Sequence, residues 1–587
     1  MWKSLKVGAA LAGILSLGLT GCGQKPPSSA APKGPSLASQ EWNKVTSAFM
    51  QSYFDSRPFF AAQSGRHEYD GQLPDVSNHG LRREVARLHD ERNHIAAVDP
   101  KTLEPRERFD RDYLLAVVDR DLFWLEKAKF PFSNPAWYIA IIDPDMYLNR
   151  NYAPLDVRMK AYIKYARGIP KVANDIKANL QSPMPKTYVE FGIAQFGGLA
   201  EFYSKNVTPV FASVSDPDLQ KQLSEADAAA AQSMDALKQT LVEERKKAND
   251  KFALGPDLYA QMVADTERVN LPIDQIEAAG RADLERNTAA LKAECDTYAP
   301  KASLLQCTAK MSAHKPKEGA VEAARAQLGM LKDFIVKNNV VSIPATDEAM
   351  VAEAPLYKRS NAAFIEVPGP YDHGVASVYN IAPPDPKWSK AEQAAYVPSE
   401  ATLLFTSVHE VWPGHFLQFL HSNANPSKLE ALWVGYAFAE GWAHYCEEMM
   451  YEKGLGTGDA EKHLGQLIDA LLRDVRLLSS IGLHTHGMTV AQSEKMFREQ
   501  AFQDPGNARQ QAARGTYDPA YLNYTLGKLM IRKLRTDWIA KQPGAGSAAS
   551  ADAQGLWHDF HDKFLSYGGP PIPLLRKEMI GEDGTLL

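Results

Sequence analysis

Two imidazoles and a carboxylate stand within one seven-residue run, His409-Glu410-Val411-Trp412-Pro413-Gly414-His415. Imidazole nitrogens are common ligands of transition-metal ions, and a neighbouring carboxylate can take a proton from water. Together these residue types serve metal-assisted hydrolysis. Their spacing sets a condition on the backbone. Six positions along a straight α-helix turn His415 roughly 240° from His409 and carry it about 9 Å along the axis, so a regular helix cannot bring both rings to one ion. Pro413 falls where its missing N–H would have bonded the carbonyl of His409, which breaks or bulges the helix after the first histidine. Gly414 can adopt backbone angles closed to other residues. A Pro-Gly insert that loops out one wide turn would return His415 to the face of His409. The simpler alternative is a helix that ends at Trp412 and leaves two solvated histidines.

The run departs from the H-E-x-x-H helix of zinc peptidases, in which histidines four residues apart share one metal and the Glu acts on water. A catalytic zinc site usually has three protein ligands, so a third is needed. Downstream, Glu440-Gly441-Trp442-Ala443-His444-Tyr445-Cys446-Glu447 lies in a segment of helical periodicity. Glu440, His444 and Glu447 share a face there by i, i+4 and i, i+7 spacing. Glu440 is assigned as the third ligand and Glu447 as the carboxylate that holds a ligand imidazole. His444 is read as an ordinary helix-face histidine.

H-E-x-x-P-G-H followed by E-G-W-A-x-Y-x-E resembles the bacterial domain of unknown function 885 (DUF885) family, and through it the zincin-like, gluzincin-type metallopeptidases. Other stretches resemble the same family. They are the extended segments from Asn361 to Ala382, the R-x(5)-G-x-H element from Arg476 to His484, and Tyr524-Thr-Leu-Gly-Lys528. The likeness spans most of residues 40 to 580. It implies a mainly α fold, a large helical body with a deep cleft and a small β-sheet near the metal helix. It also implies that the cleft admits short peptides and excludes folded proteins.

Those helices are legible upstream. Glu41–Phe54, Leu81–Ala97, Leu155–Leu180, Asp216–Lys247 and Gln275–Tyr298 carry apolar residues at three- and four-residue intervals among Ala, Lys and Glu. Residues 363–367 and 376–381 read instead as two short strands around Pro-Gly-Pro-Tyr-Asp-His-Gly. An edge strand of that kind could hold an extended peptide, with Tyr379 among the substrate-binding residues; a plain surface hairpin is the alternative.

Residues 1–21 read as a lipoprotein signal peptide: Lys3 and Lys6, an apolar run from Val7 to Leu19, then Leu19-Thr20-Gly21-Cys22, which resembles a lipobox with Cys22 as the lipidation site. Residues 22–38 form a Pro/Ser/Ala/Gly tether too poor in apolar residues to fold. Residues 39–587 are read as a single domain, with an N-terminal helical half to about 340 and a metal-site half from about 341. The expected place is the bacterial envelope, lipid-anchored, at the outer membrane facing the periplasm. A formal net charge of −6, with no basic stripe, argues against nucleic acid as a partner. Cys295 and Cys307 flank a short loop and are expected to pair in an oxidising compartment. Cys446 is read as a small buried residue.

The expected activity is a zinc metallopeptidase, oligopeptidase or carboxypeptidase-like, acting on short peptides or related amides. One Zn²⁺ is held by His409, His415 and Glu440, and Glu410 is the general base. Tyr524 and His484 are candidates to stabilise the oxyanion, each equally readable as a core residue. Arg476 and Arg514 are candidates to bind a substrate carboxylate. Two other classes fit the same residues. One is a hydrolase of non-peptide amides or esters; the other is a non-catalytic periplasmic binding protein with a closed metal site.

Overall fold

The protein is seen in a computed structural model that describes residues 36–359, 361–543, 555–581 and 584–587. Cys22 and its tether up to Pro35 lie outside the described residues. The fold is mainly helical. In chain order the helices used below are α1 (Leu37–Ser56), α2 (Asn78–Ala97), α3 (Leu155–Asn179), α4 (Lys186–Lys205), α5 (Pro217–Glu244), α6 (Ile273–Tyr298) and α7 (Ala320–Lys337). A small sheet follows, β1 (Ala349–Glu353), β2 (Ala363–Glu366) and β3 (Ser377–Ile381). The chain then runs through α8 (Glu400–Glu410), α9 (His415–Ala424), α10 (Tyr436–Glu452), α11 (Ala460–Thr485), α12 (Pro505–Tyr517), α13 (Asn523–Ala540) and α14 (Trp557–Leu565).

Helix boundaries follow local chemistry. Ser36, Ser77, Asp216 and Ser399 each accept a first-turn N–H through the side chain, so α1, α2, α5 and α8 begin where the orphan donors are satisfied. The five upstream helices expected from periodicity are all present, with ends shifted by a few residues. α5 packs against α3 and α4 around a local core that includes Tyr162, Tyr165, Ile169 and Phe196.

The larger core runs through both halves of the chain. It joins Phe49 and Tyr53 of α1 to Leu404 of α8, Trp433, Trp442 of α10 and Phe564 of α14. α11 is buried along most of its length and packs on α6 and α8. The Cys295–Cys307 disulfide joins the end of α6 to the short helix Leu304–Ser312, with a Cα–Cα distance of 5.8 Å. Cys446 is free and buried in α10.

The sheet order is β1-β3-β2. β2 and β3 form the expected antiparallel hairpin, with Ala363 opposite Ile381 and Ile365 opposite Tyr379. β1 is an addition: it pairs parallel to β3, with Val351 opposite Tyr379. That leaves β2 as an edge. The Ala382 N–H donates to the Ala362 carbonyl. In an antiparallel ladder the hydrogen-bonded pairs alternate, so Ala363 and Ile365 turn their N–H and C=O groups to the unpaired side.

Candidate metal centre and its cavity

α8 stops at Glu410 and α9 begins at His415. Between them the Gly414 N–H donates to the carbonyl of Val408, six residues back, at 3.0 Å. A regular helix would bond four back, so this is one widened turn. The insert therefore closes the 240° gap set by regular helical geometry. Gly414 has φ −70°, so the left-handed backbone that glycine permits is not what the position uses. Close approach is what excludes a side chain: a Cβ there would lie 1.8 Å from the carbonyl oxygen of His409. The loop is pinned to α10, because Trp442 Nε1 donates to the Pro413 carbonyl at 2.9 Å.

His409, His415 and Glu440 meet. Glu440 Oε2 lies 3.3 Å from His409 Nε2 and 3.2 Å from His415 Nε2, and the ligand atoms of all three fall within 4.8 Å of one another. Bonds of 2.0–2.2 Å in a tetrahedral zinc site place neighbouring donors about 3.3–3.5 Å apart. The donor types and the carboxylate spacings therefore fit one Zn²⁺ with a coordination position left over. Among the described residues this is the one cluster of three metal-ligating side chains.

Glu447 sits behind it, with Oε1 2.6 Å from His409 Nδ1. A proton on Nδ1 leaves the Nε2 lone pair facing Glu440 and His415. Arg473 Nη2 lies 3.2 Å from Glu447, and Asp469 lies 3.0 Å from Arg473 Nη1. Sequence reasoning missed Arg473 and Asp469. Their i, i+4 spacing on α11 is visible, but nothing local ties that helix to Glu447. His444 is buried with its Nδ1 3.4 Å from Glu447 Oε2, outside the ligand cluster.

The electrostatics follow from burial and these neighbours. Burial opposes charge on His409, but Glu440 and Glu447 outweigh it and carry its pKa up to about 9. Burial alone would raise Glu440, yet His415 and His409 hold its carboxyl well below the usual range. Burial pushes Glu410 up against the pull of the same two rings. Tyr524 is also raised by burial, with Arg514 opposing.

The cluster opens into a cavity of about 1490 Å³ whose walls include Phe364, Ile365, Glu410, Arg476, Arg514 and Tyr524. Tyr524 stacks near His409, ring centroids 6.1 Å apart, and Arg476 lies 4.5 Å over the tyrosine ring. This closeness depends on α10 packing hard on α13: a Cβ on Gly441 would meet the Gly527 Cα at 2.5 Å.

Two expected site residues are elsewhere. His484 does not line the cavity. It is buried against Tyr259, its Nε2 donates to the Gly515 carbonyl at 2.8 Å and its Nδ1 accepts from the Leu254 N–H at 3.2 Å. Burial depresses its pKa to about 4, as befits a neutral core histidine. Tyr379 is wholly buried on the central strand β3, covered between β1 and β2, and does not line the cavity.

No curated protein matches the chain in sequence. Two solved structures share its fold. A candidate lipoprotein of unknown function from Shewanella oneidensis is 23% identical, with a TM-score of 0.72 over 92% of this chain and 99% of that one. A candidate lipoprotein from Colwellia psychrerythraea is 16% identical, with a TM-score of 0.77 over 92% of this chain and 98% of that one. Residues 58–579 match the family described as bacterial protein of unknown function (DUF885), and the chain belongs to that family.

Proposed function

We propose that the protein is a zincin-like, zinc-dependent hydrolase that cleaves short peptides in the cell envelope. The observation that carries this reading is the convergence of His409, His415 and Glu440 beside Glu410 on the wall of a large cavity. A bound Zn²⁺ would supply a Lewis acid that activates water near neutral pH and polarises the amide carbonyl.

The chain's own groups account for the rest. Glu410 takes a proton from the attacking water and passes it to the leaving nitrogen, so one water is consumed as one C–N bond breaks. Its buried, raised carboxyl suits a proton acceptor that must also give the proton back. The Tyr524 hydroxyl donates to the oxyanion, held toward the cavity by Arg514 at 3.4 Å. The free edge of β2, at Ala363 and Ile365, offers N–H and C=O groups to an extended backbone. A volume of about 1490 Å³ exceeds the roughly 300–1,000 Å³ usual for small-molecule pockets and favours peptides over small amides or esters.

The lipobox-like Cys22 and the candidate-lipoprotein relatives support a lipid anchor, with the catalytic body facing the periplasm from the outer membrane. No helix among the described residues is long and apolar enough to cross a membrane.

The test is incubation of zinc-loaded protein with a mixed peptide library, read by mass spectrometry, beside the Glu410→Gln variant. Cleavage by the wild type alone is expected. No cleavage of any peptide, with zinc bound at full stoichiometry, overturns the reading in favour of a binding protein. Cleavage confined to non-peptide amides or esters would move the substrate class.

A further inference from the structure

Three arginines crowd the cavity wall beside the metal ligands, and two of them have carboxylate partners. Arg473 is paired with Glu447 and Asp469. Arg514 has its Nε on Asp518 at 2.9 Å, one Nη on the Tyr436 hydroxyl at 2.9 Å and the other on Asn361 at 3.3 Å.

Arg476 differs. It is only 7% exposed, yet among the described residues it has no carboxylate partner. Its Nε donates to Gln511 Oε1 at 2.8 Å, and the Gln511 amide is fixed in turn by Asn507 at 3.2 Å. Its two Nη groups have no hydrogen bond among the described residues, but neither belongs to the buried polar atoms sealed from solvent without a partner. They open onto the cavity, whose wall Arg476 helps to form.

A buried guanidinium without a counter-ion is costly, and its neighbours deepen the cost, because Arg473 and Arg514 add like charge. The pinned Nε presents the Nη pair as a fixed fork, the geometry that grips a carboxylate through two parallel hydrogen bonds. The other buried arginines answer to carboxylates or backbone carbonyls of the protein itself, such as Arg158 on Tyr147 and Leu148, and Arg535 on Glu452.

The position of the fork gives the ligand a direction. Arg476 and His409 both lie against the ring of Tyr524, the guanidinium 4.5 Å and the imidazole 6.1 Å from its centroid. A consecutive peptide unit spans at most ~3.6 Å per residue. At most about three such units cover the two spans, so a carboxylate held by Arg476 belongs to a residue close to the cleaved bond.

Resting on the hydrolase reading above, we propose that Arg476 binds the C-terminal carboxylate of the substrate and makes this cavity a carboxypeptidase site that removes a short C-terminal piece, at most about three residues, per cleavage. The bond broken is the same amide, with one water consumed per product released. Arg514 is not a second anchor: its donors are spent on Asp518, Tyr436 and Asn361, and it positions Tyr524.

The test uses zinc-loaded Glu410→Gln protein, so that peptides bind without turnover. The probe is a fluorescent N-acyl tetrapeptide, as the free acid and as its C-terminal amide. The free acid should bind about 10- to 100-fold tighter, the worth of a charge-assisted contact. Adding Arg476→Lys should remove most of that preference, and Arg476→Gln all of it, with zinc content unchanged; the lysine variant keeps the buried charge in case the glutamine variant folds poorly. Equal affinity for acid and amide, or binding of neither, overturns the proposal, as does a preference that survives both substitutions. A third probe, the amide with Glu as its last residue, separates the two carboxylate sources: binding as tight as the free acid assigns Arg476 to a side chain and overturns the C-terminal assignment. In the wild-type enzyme, equal kcat/KM on acid and amide would strike the carboxypeptidase claim and leave the hydrolase. No turnover with the binding preference intact would strike the hydrolase and leave Arg476 as a carboxylate site.

Discussion

The His409 Nδ1 donates to Glu447 Oε1 across 2.6 Å, and both side chains are buried. This contact joins α8 to α10 and sets which imidazole nitrogen faces Glu440 and His415. Carboxylates in this role typically contribute about 10- to 100-fold to metal affinity. Glu447→Gln is expected to weaken zinc by about that factor while leaving the ligand cluster intact, measured by competition with a chromogenic chelator. Wild-type affinity in a folded variant would remove Glu447 from the metal site.

Gly414→Ala tests the widened turn. The added methyl meets the His409 carbonyl, and neither backbone segment can yield without moving a ligand. Overpacking of this kind costs about 1–3 kcal/mol or more. A lowered Tm together with substoichiometric zinc is expected. Full zinc occupancy and an unchanged Tm would mean the turn is not held as described.

Tyr524→Phe removes one hydroxyl from the cavity and leaves the ring against His409 and Arg476. Loss of an oxyanion donor costs about 10²–10³-fold in kcat. We expect a fall of that order with little change in KM or zinc content. Unaltered kcat would return Tyr524 to the core.

A pH-dependent contribution to stability lies away from the metal. His67 Nδ1 is 3.1 Å from Asp70 and its Nε2 is 2.9 Å from Asp372, in the loop between β2 and β3, while its ring stacks on Tyr152 at 3.8 Å. Burial opposes its charge, but the two carboxylates carry its pKa up to about 9. The folded protein therefore holds this proton more tightly than the unfolded chain. The contribution is complete below ~6.5 and is lost as pH rises through about 9. Since 30% of the side chain is exposed, screening reduces its size to about 1–2 kcal/mol. Urea unfolding from about pH 6 to 9.5 should show wild type losing that much relative to His67→Gln. Parallel pH profiles for the two proteins would dismiss the effect.

Much of this architecture is written in short-range spacing. Apolar periodicity places α3 within a residue at its C-terminal end, because helical repetition is a property of the local backbone. The Pro413-Gly414 insert announces a broken helix for the same reason, and residues 361–382 announce a hairpin by their turn chemistry. β1 escapes notice: five residues without strict alternation acquire strand character only by pairing with β3. His484 and Tyr379 are misplaced by sequence reasoning because a motif position says nothing about which way a side chain faces. Arg476 and Arg514 are indistinguishable as letters. Their difference is a matter of partners, Gln511 for one and Asp518, Tyr436 and Asn361 for the other, and those partners are chosen when α11, α12 and the strand region pack around one cavity. Backbone geometry acts over a few residues and can be read from them; the environment of a buried charge is assembled from chain segments far apart, and only packing decides it.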